Sequence, residues 1–189
     1  TFWQVVLSFP PIAVGAFGLA YATRDGGATW EPFHPQEGDL HLNSLLLASG
    51  GIFLAGEAGT VLLSDDGGHT WESRPPEYEG SFHGLTALSD GSVLVQGLRG
   101  HVFRTFDTGR TWCPVESLGP ALLNAGLQLG SGRIILGGTA RWAFVAPFPG
   151  AAFSRVPLPL TTAVSVWMET GDGHLLSLGE AGAVRLPAP

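Results

Sequence analysis

The sequence reads as an all-β protein, a β-propeller of four-stranded antiparallel blades, on three observations. A segment ending in Thr-Trp occurs three times, a turn opened by glycine occurs five times and closes on a second glycine in four of them, and both share a period of 41 residues. Between them lie apolar runs of four to six residues bounded by Gly and Asp, which are strand signals. Self-similarity near 40 residues with four strands per unit is the sequence form of a propeller blade.

The first series is Thr23 to Trp30, Ser64 to Trp71 and Thr105 to Trp112, all Ser/Thr-x-Asp-x-Gly-x-Thr-Trp. Asp25, Asp66 and Asp107 stand 41 apart, as do Trp30, Trp71 and Trp112. One further step reaches Gly150 and Phe153, with Phe148 in place of the acid, so a decayed fourth copy keeps the register. The second series is Gly15, Gly56, Gly97, Gly138 and Gly179, and a third is the pairs Ser49-Gly50, Asp90-Gly91, Ser131-Gly132 and Asp172-Gly173.

Within the second unit, Asn43 to Ala48 forms strand A and Ser49-Gly50 a two-residue hairpin. Strand B follows over Ile52 to Ala55, then the turn Gly56 to Gly59, strand C over Thr60 to Ser64, and strand D over Thr70 to Ser73. Prolines such as Pro32, Pro75, Pro76, Pro114 and Pro157 then end the meander and begin a crossing to the next unit. The blades expected are 1–36, 37–77, 78–118, 119–159 and 160–189: four complete, and a fifth lacking its last strand. Residues ahead of the first strand A, near Trp3, are too few to supply that strand. A single domain forming the C-terminal part of a larger propeller is therefore preferred over a short ring closed imperfectly.

Each part of the repeated segment has a physical task. The carboxylates of Asp25, Asp66 and Asp107 accept hydrogen bonds from turn amides. Gly27, Gly68 and Gly109 supply a conformation other residues resist, and Thr29, Thr70 and Thr111 bond across the hairpin. Trp30, Trp71 and Trp112 bury large apolar surface on an adjacent sheet, each worth about 1.5–3 kcal/mol. Identical residues in every blade are scaffolding, whereas catalysis needs one asymmetric constellation.

Composition excludes several functions. The 189-residue chain has a net charge of −7 and no lysine, against binding nucleic acid through its phosphates. No apolar run is long enough for a membrane-spanning helix. A single cysteine, Cys113, excludes an internal disulfide and a cysteine-based zinc site, and its expected role is packing. The six histidines include no metal-binding spacing, so neither metal nor cofactor is expected. His41 and His83, near-equivalent in successive repeats, could approach each other at a central channel.

The repeated segments look like Asp-box, or BNR, repeats. With the paired-glycine turn upstream of each box, the unit resembles the photosystem II stability/assembly factor family and its bacterial relatives. That resemblance covers essentially the whole chain. It implies a seven-bladed, secreted or lumenal propeller without catalytic activity, which acts as a scaffold in assembling membrane protein complexes. Its partner is then a protein, a membrane protein or a subunit of a membrane complex, and its place the periplasm or another extracytoplasmic space. For bacterial relatives it implies an accessory role beside RND-type transporters. The alternative is a glycan-acting enzyme or glycan-binding module similar to sialidases. Those resemble one another in three carboxylate-gripping arginines and a Tyr–Glu pair, whereas this chain offers Tyr21 and Tyr78 and, at Phe153 to Pro157, a faint echo of the arginine motif.

Recognition is expected on the face where the paired-glycine turns and the crossings lie, because the turn contents vary there on a constant frame. The candidate partner contacts are Phe17, Glu57, Arg99 and Arg141 from the turns, and Tyr78, Phe82 and His83 from the crossing loops. Apolar surface is also expected at the two ends of the arc, at Trp3, Val5, Leu7, Trp167 and Met168.

Overall fold

The computed structural model describes residues 2–6, 10–115, 118–139, 142–157, 159 and 162–187; in the first strand, only the side chain of Gln4 is described. Leu7 and the side chains of Trp3 and Val5 therefore lie outside the described residues. Nineteen strands form five antiparallel meanders among the described residues. The first sheet holds β1 (Phe2–Val6), β2 (Ile12–Gly15), β3 (Ala20–Ala22) and β4 (Glu31–Pro32). The second holds β5 (Leu42–Ala48), β6 (Gly51–Gly56), β7 (Val61–Ser64) and β8 (Glu72–Ser73). The third holds β9 (Phe82–Ala87), β10 (Val93–Gly97), β11 (Val102–Thr105) and β12 (Cys113–Val115). The fourth holds β13 (Leu123–Gln128), β14 (Ile134–Gly138), β15 (Trp142–Ala146) and β16 (Ser154–Pro157). The fifth has three strands, β17 (Val164–Glu169), β18 (Leu175–Gly179) and β19 (Gly182–Leu186).

The first strands of consecutive sheets, β1, β5, β9, β13 and β17, pack side by side as the inner wall. Polar side chains stitch that wall from blade to blade. Gln4 accepts from the Leu45 amide, Asn43 donates to the Phe82 carbonyl, Gln128 accepts from the Ser89 amide and Glu169 from the Gly130 amide. The apolar core is a series of slabs between blades. One joins Ile12 and Val14 to Leu42, Leu45 and Leu54; the next joins Phe53 and Leu63 to Phe82, Val93 and Val95. Two further slabs join the third blade to the fourth and the fourth to the fifth. Stability of this kind comes from nearest-neighbour contacts, because one meander cannot bury both faces of its sheet.

Two details depart from the sequence reading. Among the described connections between the first two strands of a blade, that of the second alone is a two-residue hairpin, with Ala48 paired to Gly51. In the third, fourth and fifth blades a three-residue loop replaces it, closed by bonds such as Leu88 N–H to Ser92 O and Gly91 N–H to Leu88 O, with Gly91, Gly132 and Gly173 left-handed. Strand D is also short: β8 begins at Glu72, after the tryptophan and not at Thr70. The carboxylate of Asp66 captures the amide of Thr70, so the turn extends through it.

Candidate functional site

The three boxes share one hydrogen-bond scheme. In the third blade, Thr111 gives its amide and its hydroxyl to the two carboxylate oxygens of Asp107, at 2.8 and 2.7 Å. Thr105 gives its hydroxyl to the same carboxylate and accepts the Gly109 amide. Asp25 and Asp66 repeat this with Thr29 and Thr23, and with Thr70 and Ser64. The threonines thus bond back to their own aspartate and not across the hairpin, because the turn curls around the carboxylate. Sequence reasoning gave no task to Thr23, Ser64 and Thr105, yet these buried hydroxyls relay between carboxylate and glycine amide. Their invariance as a hydroxyl two residues before each Asp was the available signal. Such bonds hold Asp25 and Asp107 at a pKa of about 2, well below the ordinary 3.8, and Asp66 lower still, through Thr29, Thr111 and Thr70 respectively. Carboxylates so engaged are structural.

The tryptophans do not behave alike. Trp71 stacks on Phe33 of the first blade, and Trp112 donates its indole N–H to the Arg74 carbonyl of the second. These two tryptophans therefore wedge against the preceding blade. Trp30 has no such blade among the described residues and is 38% exposed, contrary to the burial expected. Cys113 likewise is exposed on the outer strand and not packed.

At the opposite face, each inner strand carries an irregularity at the same place. The register shifts between Leu42 and Ser44, opposite Gly97 in β9, between Leu123 and Ala125, and between Val164 and Val166. The residues at these bulges are Asn43, His83, Asn124 and Ser165. A bulge turns a side chain out of its alternation, and all four line an axial cavity of about 610 Å³ together with Gln4. Among the described residues lining it none is Arg, Asp or Glu. The side-chain amide oxygen of Asn124, Oδ1, is buried without a hydrogen-bond partner among the described residues. Burial lowers the pKa of His83 below its ordinary 6.5, against the opposing charge of Glu57, so its imidazole is neutral at pH 7.

The bulges explain why His41 and His83 differ. The shorter hairpin of the second blade shifts its inner strand by one residue, so the counterpart of His83 is Asn43. His41 lies just before the strand, where Glu57 accepts its amide at 2.9 Å and Phe17 meets its ring edge-on at 4.9 Å. Phe17, Ala58 and Arg99 occupy the third positions of their turns, at φ of 54°, 51° and 55°. A non-glycine residue resists this left-handed conformation, which the turn imposes in all three blades. Phe17 is nevertheless 69% exposed.

The other candidates divide. Glu57 sits on this rim, and His83 faces the axis. Tyr78 is half-buried against Phe82, His101 and Phe103. Phe82 is fully buried, which corrects its reading as a partner contact: it starts β9 on the side facing the second blade, and no partner can reach it. Arg141 lies outside the described residues. Trp167, expected at an exposed end, is buried against Gly137, whereas Met168 beside it is half exposed, as strand alternation requires. Among the described residues no group of three or more His, Cys, Asp or Glu could hold a metal, and no helix is long and apolar enough to cross a membrane.

Radially stacked meanders, three of them closed by an acidic box, define a BNR-type β-propeller. Residues 11–121, more than half the chain, match the family described as photosynthesis system II assembly factor YCF48, and the chain belongs to that family. No curated protein matches it. Among solved structures it is similar to a YCF48 bound to a D1 peptide, at 24% identity and a TM-score of 0.73 over 94% of this chain and 60% of that one. It is also similar to YCF48 from Cyanidioschyzon merolae, at 16% identity and 0.75 over 100% of this chain and 68% of that one. A virginiamycin B lyase from Staphylococcus aureus is as alike in shape, at 9% identity and 0.80 over 100% of this chain and 70% of that one. The chain thus spans 60% of the first of these structures, and the likenesses show the fold alone.

Proposed function

We propose that this chain is a non-catalytic, protein-binding assembly factor, and that its partner is a subunit of a membrane protein complex in an extracytoplasmic space. The observation that carries the reading is the pairing of an axial collar with a strained rim. Neutral amides, an imidazole and two hydroxyls surround the cavity, as suits the donors and acceptors of a peptide backbone. Beside them Phe17 and Arg99 are held outward in a conformation that costs about 1 kcal/mol or more each. Membership of the assembly-factor family, and the likeness to a YCF48 bound to a D1 peptide, support a protein as the ligand. The collar's uncharged described lining favours a scaffold over a sialidase-like site, which needs converging arginines and an acid at the axis.

The test is recovery of partners from envelope membranes with the tagged protein and with a Phe17→Ala, Arg99→Ala variant. A membrane protein retained by the wild type and lost by the variant, at unchanged Tm, is the expected result. Recovery of no membrane protein, or equal recovery by both, contradicts the reading.

A further inference from the structure

The fourth box has lost its working residues together: Ala146, Phe148, Ala152 and Phe153 stand where the third has Thr105, Asp107, Thr111 and Trp112. The junction it faces stands open, as a cleft of about 660 Å³ between the third and fourth blades. That is the size of small-ligand sites. In the two preceding junctions the same place is filled, by Trp71 against Phe33 and by Trp112 at Arg74. Stepping along the repeat, Phe33 and Arg74 become Val115 while the tryptophan becomes Phe153. Both walls shrink at one junction, and both line the cleft.

Two arginines border the space. Arg104 holds the register that Leu63 and Val145 hold in neighbouring blades, yet it is buried, tied to Asp90 and to the Ser92 hydroxyl, with Phe106 under its guanidinium. Arg155 is exposed, its guanidinium 4.2 Å over the Trp142 ring, and among the described residues no carboxylate pairs with it. A buried arginine at a core register, next to an unfilled wedge, is the kind of local conflict that marks a site.

We propose that this cleft binds an extended segment of a partner protein through a tryptophan with an acidic residue beside it. The chain itself supplies the template. An indole fills the preceding junction and gives its N–H to the Arg74 carbonyl, whose counterpart here is that of Val115. The partner's ring lies beside Phe153, in the space that Phe153 and Val115 leave open where Trp112 and Arg74 fill the preceding junction, and its carboxylate meets Arg155, a cation on a chain of net charge −7. This site goes beyond the axial reading and does not depend on Phe17 or Arg99.

Acetyl-Asp-Trp-Gly-amide titrated calorimetrically into the protein tests it, with the Ala-for-Trp and Lys-for-Asp peptides alongside. The Asp-Trp peptide should bind at least about tenfold more tightly than the Ala peptide, a gap that burial of one aromatic ring supplies. Phe153→Trp should refill the wedge and abolish binding, Arg155→Ala should weaken it about fivefold, and Phe17→Ala should leave it unchanged. Absence of saturable binding, equal binding of the Ala peptide, or undiminished binding to Phe153→Trp overturns the proposal. Should Phe153→Trp fail to fold, undiminished binding to Arg155→Ala, a surface change, overturns it instead.

Discussion

An aspartate that collects a backbone amide and two hydroxyls inside one hairpin does so only while ionised. For Asp25 and Asp107, held at about 2 against an ordinary 3.8, the bonds favour the folded state above pH 4, and that contribution fades as pH falls through the folded pKa. Thermal melts followed by circular dichroism should therefore show Tm falling between about pH 4 and about 2. The triple variant Asp25→Asn, Asp66→Asn, Asp107→Asn should begin lower and vary less across that window. The tryptophans give a second contrast. Trp112→Phe forfeits the bond to Arg74 and part of a wedge, a cost of about 1–2 kcal/mol. Trp30→Phe should cost under about 0.5 kcal/mol, since Trp30 is exposed and wedges against nothing described. Urea unfolding midpoints of the two variants check this pair. The carboxylate's role was legible in the sequence because Asp, Gly and Thr have few reasons to recur together. The unequal burial of the tryptophans was not, because it depends on which blade comes before.

At the level of turns and strands, the paired-glycine turn binds the second and third blades to the crossings that follow, through the amides of Gly59 and Gly100. Gly100 donates its amide to Ala121, and a Cβ on it would lie 2.4 Å from the Gly119 carbonyl. Gly100→Ala should destabilise by about 2 kcal/mol or more, from backbone clash added to left-handed strain. Gly119→Ala, also left-handed but in open space, should lose only about 1 kcal/mol. Chemical denaturation separates the two. The inner-strand bulges were the largest feature hidden from the sequence. A constant period of 41 conceals the one-residue exchange between the shorter hairpin of the second blade and its later inner strand. Polar residues near the start of each strand A were visible, but strand alternation alone cannot say that a bulge aims them at the axis. Phe82 was misplaced for the same reason: one residue from a bulge, core and cavity exchange sides.

Taken as an assembly, the arc has two faces of different character. The box turns are stiff and nearly uniform, their side chains spent on their own hairpins. The paired-glycine face carries the strained Phe17 and Arg99, the Glu57–His41 contact and the mouth of the collar. The repeat itself displayed the propeller almost completely, since period, turn chemistry and apolar runs agreed. It showed the recognition surface only in outline, as variation among turns, because a partner selects side-chain directions that no periodicity records. Site-specific photo-crosslinking in cells reads that surface directly, with a benzophenone amino acid placed at 17 or 99 on one face and at 69 or 110 on the box-turn face. Crosslinks to a membrane protein from 17 and 99, and none from 69 and 110, are what the proposed recognition face requires. Crosslinks confined to 69 and 110, or none from any position, would contradict it.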